Sequence, residues 1–334
     1  MKAIVVDEPG DAGQMRLTEV PDPVPGDTDL LIRVHASALN RADVNQRQGN
    51  YPPRPGTSEI LGLELAGEVL GLGVNVTKFH QGDRVYGLSG GGGYGELATL
   101  PEDLAMPIPE AFDYQYAASI PEVFFTANTA IRTLGRLQDG ERALIHAGGS
   151  GVGIAATQIA KLVGAEVWIT AGSDEKCARS AGLGGSVGGA DVTINYKTHD
   201  FADEVKNRTD GNGVNVILDV VGADYLQRNL DSLAYEGRLV LVSLLSGAQA
   251  DVNIGRVLRN RLQILGTVMR NRPQEARVAI TRDFQTHLEP ALIDGRMKSV
   301  IDRIFPLREA ADAHRYMEAN LNFGKIVLDV VNGS

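Results

Sequence analysis

Residues 143–176 read ALIHAGGSGVGIAATQIAKLVGAEVWITAGSDEK. A short apolar run, Ala143 to His146, leads into glycines at 148, 149, 151 and 153 and then into helical spacing. Gly151, Gly153 and Ala156 fit the form G-x-G-x-x-[GA]. The chemistry open to such a run is the holding of a diphosphate. One glycine permits a tight turn, one lets the backbone approach a pyrophosphate, and the small third residue lets helix and strand pack. The first amides of the helix, at its positive dipole end, then face the anion. A lone motif of this kind can also be a purely structural glycine turn. Here it stands between an apolar strand and a helix, and a second strand, Val167 to Thr170, follows at the right distance. Gly149, Ser150, Gly151, Val152 and Gly153 are therefore expected to bind a dinucleotide.

The second strand bears on which dinucleotide. An acidic side chain at its end, about 20 residues past the motif, is the usual acceptor for ribose hydroxyls in NAD enzymes. This strand ends in Ala171, Gly172 and Ser173. Asp174 and Glu175 come just after, where acids in the first turn of a helix are ordinary. Without the acid, Gly172, Ser173 and Lys176 suit a 2′-phosphate, so NADPH is the expected cofactor. The competing reading of Lys176 is a solvated helix lysine.

Strands and helices alternate around this motif, which predicts a parallel sheet with right-handed crossovers. A helix is expected over Glu122 to Arg136, and strand–helix pairs recur at Ala143–His146 with Gly153–Val163, Val167–Thr170 with Asp174–Ala181, and Val216–Val221 with Asp224–Ala234. A further strand follows at Leu239–Val242. Residues 1–120 read instead as short strands and turns, with Leu61 to Leu72 expected as a bent strand. Gly90 to Gly93 is either a flexible hairpin loop or a substrate lip. The last segment reads as strand (Asp302 to Phe305), helix (Arg308 to Ala319) and strand (Lys325 to Val330). At 334 residues the chain is long enough for two domains. A net charge of −10 argues against a nucleic-acid or anionic-membrane surface. The single cysteine, Cys177, excludes a disulfide within the chain and a thiolate zinc cage. No signal-peptide pattern or apolar run of membrane-spanning length is read, so a cytoplasmic location is expected.

The chain resembles the medium-chain dehydrogenase/reductase superfamily, in its zinc-free quinone oxidoreductase (zeta-crystallin-like) branch, and within it the stress-inducible NADPH quinone oxidoreductases. The resemblance rests on HASALNRADVNQRQGNYPPRPG (35–56), EILGLELAGEV (59–69), GDRVYGLSGGGGYGELATLP (82–101), HAGGSGVG (146–153), INY (194–196), ILDVVG (217–222) and HRYMEANLNFGKIVL (314–328). Ser150 departs from the glycine usual in the branch, and 182–196 looks a few residues longer than the usual link. The fold implied is α/β, a doubly wound Rossmann sheet inserted into a GroES-like β-rich domain. The boundaries implied are 1–121 with 297–334 for the substrate domain and 122–296 for the NADPH-binding domain.

The resemblance also implies roles. Zinc-bearing members carry a cysteine where Asn40 stands and a histidine where Gly62-Leu63-Glu64 has leucine, so no metal is expected. Asn40 and Tyr51 are implied to line the nicotinamide and substrate cleft. The spacing Asn40-x-x-Asp43 equally suits a helix N-cap, and Tyr51 before two prolines equally suits a loop anchor. Thr126 is implied on the nicotinamide side, with an ordinary helix threonine as the alternative. Ser243, Leu244 and Leu245 are implied to offer backbone groups to the carboxamide, and Gly266, Thr267 and Val268 to flank the nicotinamide. Tyr196 and Lys325 are implied near the 2′-phosphate, and Gly222 to allow close approach of the cofactor. The expected function is reduction of a quinone by NADPH without zinc. The alternatives are an enoyl or alkenal reductase, with Tyr51 as proton donor, and a crystallin-like protein that merely retains NADPH. A homodimer paired through Arg261 to Val268 is implied as well.

Overall fold

The alternation of apolar runs and helices resolves, in a computed structural model describing residues 1–331, into fifteen strands. In chain order they are β1 (Lys2–Val6), β2 (Met15–Glu19), β3 (Asp29–Ala38), β4 (Glu64–Leu72), β5 (Arg84–Leu88), β6 (Leu97–Pro101), β7 (Ala105–Pro107) and β8 (Arg142–Ile145). There follow β9 (Glu166–Ala171), β10 (Val192–Asn195), β11 (Val214–Asp219), β12 (Leu233–Leu241), β13 (Gln263–Gly266), β14 (Ile301–Pro306) and β15 (Lys325–Asp329). The chain divides into two compact units. The first holds Met1–Glu122, Arg270–Arg282 and the chain from Ser299 onward; the second holds Val123–Met269 and Asp283–Lys298.

The second unit carries a six-stranded sheet in the order β10-β9-β8-β11-β12-β13. Every pairing in it is parallel, so each crossover must return over a face, and helices supply those crossovers. This is the Rossmann order, which reverses between β8 and β11. Its central strands β9, β8 and β11 are largely buried along their length, as a sheet covered on both faces requires. Leu144, Trp168, Ile194, Ile217 and Leu239 join Phe201, Val205 and Leu230 in one buried cluster. One edge is β13, the strand expected to pair two copies of the chain.

The first unit is β-rich. Its seven-stranded sheet runs β14-β15-β3-β4-β5-β7, with β6 paired to β3, and β1 pairs separately with β2. β4 is bent as expected: its register against β3 shifts between Leu31 and Ile32 and again between Val34 and Ala36. Leu30, Ile32, Val34, Leu65, Val69 and Val85 form its core with Ile326 and Leu328 from β15.

Four local expectations are corrected. The helix from Pro121 ends as an α-helix at Asn128, and Thr129–Leu134 continues as a π-helical stretch. There the Gly135 N–H reaches back five residues to Ala130 O at 2.8 Å. Strand β12 starts at Leu233, not Leu239, because a register shift against β11 accommodates Ala234 to Gly237, whose exposed Tyr235 and Glu236 hide the apolar alternation. Gly91 to Gly93 form no flexible loop. They are buried against the 58–64 backbone, with Gly92 N–H on Ile60 O and Gly93 N–H on Gly62 O. A Cβ at Gly91 would lie 2.6 Å from Ser58 O, and one at Gly93 would lie 2.7 Å from Glu64 O. The glycines are there so that two backbones can touch. Finally, residues 270–282, expected within the 122–296 domain, group with the first unit. Arg270 Nη1 donates to Tyr51 O at 2.7 Å, Arg54 Nη1 to Arg272 O at 2.9 Å, and Arg277 Nη2 to Leu88 O at 2.8 Å.

Candidate functional site

Within the second unit, most residues expected at a dinucleotide lie where the parallel strands end. Gly149 to Gly153 follow β8, Gly172 and Ser173 follow β9, Tyr196 follows β10, and Gly222 follows β11. Ser243 to Leu245 follow β12, with Leu244 and Leu245 exposed, and Gly266 to Val268 sit at the end of β13. The carboxyl ends of such a sheet, at the point where its order reverses, form the ligand crevice of open α/β folds. Lys176 stands in the first turn of the helix Asp174–Ala181.

The glycine turn itself is built as a cradle. Ser150 N-caps the helix Gly151–Val163, its Oγ accepting from Gly153 N–H at 3.0 Å. The hydroxyl that replaces the usual glycine is thus a cap, and the remaining N-terminal amides stay without helical acceptors. Gly153 is dictated by contact: a Cβ there would lie 2.3 Å from Ala147 O and 2.8 Å from Gly148 Cα. Behind the cradle a buried network ties three strand tips together. His146 Nδ1 meets Thr170 Oγ1 at 2.9 Å and Nε2 meets Asn229 Oδ1 at 2.7 Å, while Asn229 Nδ2 donates to Asp219 Oδ2 at 3.0 Å. Because Asn229 presents its oxygen, His146 carries its proton on Nε2 and accepts from Thr170. Burial pushes His146 down to about 4, which keeps it neutral at ordinary pH. Asp219 also accepts from Val221 N–H at 2.6 Å and Gly222 N–H at 3.2 Å, fixing the turn in which Gly222 adopts φ +90°.

At the end of β9, Ser173 Oγ accepts from Lys176 N–H at 3.2 Å and so caps the next helix. The half-exposed Tyr196 phenol lies over Gly172, where a Cβ would come 2.8 Å from its hydroxyl. Thr126, on the helix Pro121–Asn128, is 5% exposed, and its Oγ1 has no partner among the described residues. An orphaned buried hydroxyl and a capped helix start behind a glycine turn both fit a bound dinucleotide.

The first unit holds a different constellation, a buried cluster of charges. Lys325 Nζ donates at 2.8 Å to each of three acceptors: Leu39 O, Asn40 Oδ1 and Glu64 Oε1. Asn40 Nδ2 donates to the same Glu64 oxygen at 2.8 Å, and Glu64 Oε2 accepts from Glu122 N–H at 2.7 Å. Asp43, fully buried, accepts from Asn40 N–H at 2.8 Å and Gly62 N–H at 3.1 Å. Desolvation pushes its carboxyl up to about 6. The expectation that Lys325 meets the 2′-phosphate is corrected here. The side chain is buried, and its three N–H bonds are all taken. Asn40 does begin the helix Arg41–Arg47, but its amide bridges Glu64 and Lys325.

Tyr51 lies beside Arg270, whose guanidinium carbon stands 4.3 Å from the ring centroid. Burial pushes the Tyr51 phenol above its ordinary value. Arg270 is 4% exposed; its Nη atoms bind Tyr51 O and Gln46 Oε1, while Nε has no partner among the described residues. Sequence reasoning passed over Asp43, Glu64, Glu122 and Arg270 as site residues. Glu122 after Pro121 looks like an ordinary first-turn acid, and nothing in the spacing ties Arg270 to Tyr51, 219 residues away. Glu64 had a signal, an acid inside an apolar strand. Among the described residues, no cluster of three or more His, Cys, Asp or Glu is arranged to hold a metal, and no helix is long and apolar enough to cross a membrane.

Residues 26–110 match the alcohol dehydrogenase GroES-like domain family, and residues 151–283 match the zinc-binding dehydrogenase family. The quinone oxidoreductase of Sus scrofa is 31% identical over 319 residues, which cover 94% of this chain and 93% of that protein. A phenolphthiocerol/phthiocerol polyketide synthase polypeptide of Mycobacterium tuberculosis is 32% identical over 97% of this chain. This chain spans only 14% of that polypeptide. Among solved structures, Escherichia coli quinone oxidoreductase complexed with NADPH superposes with a TM-score of 0.89 at 27% identity, covering 99% of this chain and 100% of that one. The CurK enoyl reductase gives 0.84 at 27% identity, covering 98% of each chain. The chain belongs to the medium-chain dehydrogenase/reductase superfamily, among its quinone oxidoreductase relatives.

Proposed function

We propose that this protein is an NADPH-dependent oxidoreductase that reduces a quinone without zinc. The observation that carries the cofactor is the end of β9, where Ala171-Gly172-Ser173 offers no carboxylate while Lys176 and Tyr196 stand close by in the chain and on the neighbouring strand. NADPH, when bound, supplies hydride. Gly149 to Gly153 hold its diphosphate by backbone amides, Lys176 and Tyr196 meet the 2′-phosphate, and Thr126 supplies a hydroxyl on the nicotinamide side. The relatives named for quinone reduction, one of them complexed with NADPH, support this reading.

Zinc independence is supported by the donor set. A divalent cation would seek the oxygens of Asn40 and Glu64, and the Lys325 ammonium already stands 2.8 Å from both. Without a Lewis acid to stabilise an alkoxide, alcohol oxidation is disfavoured. Hydride delivery to an electron-poor acceptor is not. Enoyl or alkenal reduction is the second reading, favoured by the likeness to CurK, with Tyr51 as its candidate proton donor. A protein that only retains NADPH would bind it without turnover.

Cofactor choice is tested by dissociation constants for NADPH and NADH, measured at fixed salt because exposed charge contacts are screened. A charge-assisted contact to phosphate is worth roughly 1.5–3 kcal/mol, so Lys176→Ala is expected to weaken NADPH binding about 10- to 100-fold and NADH binding far less. Equal losses for the two would remove Lys176 from the phosphate site.

A further inference from the structure

The turn that opens the glycine cradle is strained at one residue. Ala147 has φ +53°, in the left-handed region where a Cβ crowds the following carbonyl. Five other non-glycine residues among those described share a positive φ, and none of them lies within 143–176. Glycine would take this conformation without the crowding. An alanine keeps it only where the surroundings over-determine it.

The surroundings act on both sides of Ala147. On the far side, Gly148 N–H donates to Thr170 O at 2.9 Å, and a Cβ at Gly148 would lie 2.6 Å from Ile169 Cβ, so the turn is drawn tight onto β9. Ser150 N–H donates to Ala147 O at 2.9 Å. On the near side stands His146, whose N–H donates to Leu218 O at 3.0 Å. Its fully buried ring is held at both nitrogens, by Thr170 Oγ1 and by Asn229 Oδ1. Phe201 and Tyr225 meet that ring edge-on, with centroids 4.7 and 4.8 Å away. Asn229 is buried as well and is itself anchored on Asp219. The imidazole cannot turn or shift without leaving a buried polar atom unpaired, which is costly. Fixing the N–H and side chain of His146 fixes the peptide into Ala147, and fixing the Gly148 N–H fixes the peptide out of it.

We propose that His146 is a positioning residue for the cofactor: clamped by Thr170 and Asn229, it holds Ala147 left-handed and so presets the glycine turn that receives the diphosphate of NADPH. This rests on the cofactor reading above and involves the second unit alone. His146 acts through Ala147 and the turn that follows. The strain is met when the protein folds, so binding does not have to supply it. Burial pushes His146 down to about 4, so the ring stays neutral and the clamp keeps its hydrogen-bond pattern at ordinary pH.

The test is the NADPH dissociation constant of the full chain, with the melting temperature of the cofactor-free protein showing that each variant folds. His146→Leu removes both ring anchors and leaves Asn229 bonded to Asp219. Ala147 is then free to leave the left-handed region, and binding must bring it back. That conformation costs an alanine roughly 1–2 kcal/mol, so Kd is expected to rise about 5- to 30-fold. Adding Ala147→Gly to His146→Leu should regain most of the lost affinity, because glycine enters the left-handed region without a clamp. A loss caused by general destabilisation would not be repaired in this way. Thr170→Val deletes one hydroxyl and leaves the Asn229 anchor in place, so it is the variant that folds if His146→Leu does not. Its Kd should rise less, with the same repair by Ala147→Gly. A folded variant of either kind that binds NADPH as tightly as wild type overturns the proposal, and so does a loss that Ala147→Gly leaves unrepaired. A wild type that binds no NADPH defeats the cofactor reading itself, and the proposal falls with it.

Discussion

Lys325→Met should destabilise the first unit by roughly 3–5 kcal/mol, the cost of removing one partner from a buried ion pair. The methionine fills much of the lysine's volume, so the loss is electrostatic rather than a cavity. Glu64, fully buried, would retain Asn40 and the Glu122 N–H but lose the one cation within salt-bridge distance of it among the described residues. Leu39 O and Asn40 Oδ1 would lose their donor as well. Differential scanning calorimetry should show one transition moved down by roughly 6–20 °C, with the transition of the second unit less affected. Pairing the change with Glu64→Leu should cost less than the sum of the two single variants, because apolar replacement of both partners removes the orphaned charge. A single variant within about 1 kcal/mol of wild type would mean the ammonium is not the cation that holds Glu64.

Gly153→Ala should act on the second unit and reverse the usual sign of that substitution. In an ordinary helix interior, glycine to alanine gains about 1 kcal/mol. Here the new methyl would stand 2.3 Å from Ala147 O and 2.8 Å from Gly148 Cα, and its three nearest neighbours are all backbone atoms. None of these neighbours is a flexible side chain that can swing away, so the turn must open. Overpacking of this kind costs roughly 1–3 kcal/mol. The shift should also misplace the amides proposed to face the diphosphate, and a displacement of about 1 Å costs about 100-fold in a positioned interaction. NADPH affinity and melting temperature should therefore fall together. An alanine variant that binds NADPH as well as wild type would mean that the turn does not cradle the cofactor.

The two halves of the molecule were unequally legible in the sequence. The four central strands of the parallel sheet could be read from apolar runs between helices, and Asp174–Ala181 falls where its spacing placed it; β10, Val192–Asn195, could not, because VTIN is no apolar run. The cradle could be read because close approach leaves a glycine signature. The bulge at Ala234 to Gly237 could not, since its side chains face solvent and break the alternation. The charge cluster was hidden for another reason. Its members come from positions 40, 43, 64, 122, 270 and 325, and all but Glu64 have an ordinary explanation as a cap, a first-turn acid or a surface cation. Only the fold shows that Lys325 is bonded to Glu64, and that Glu122 Oε2 has no hydrogen-bond partner among the described residues.

The central claim, NADPH-dependent reduction of an electron-poor acceptor without zinc, is tested most directly by following NADPH consumption with a simple benzoquinone, using protein dialysed against a strong chelator. The account predicts steady turnover that survives the dialysis and a much lower kcat/KM when NADH replaces NADPH. Preference for NADH, or activity that disappears with the metal and returns with added zinc, would contradict it.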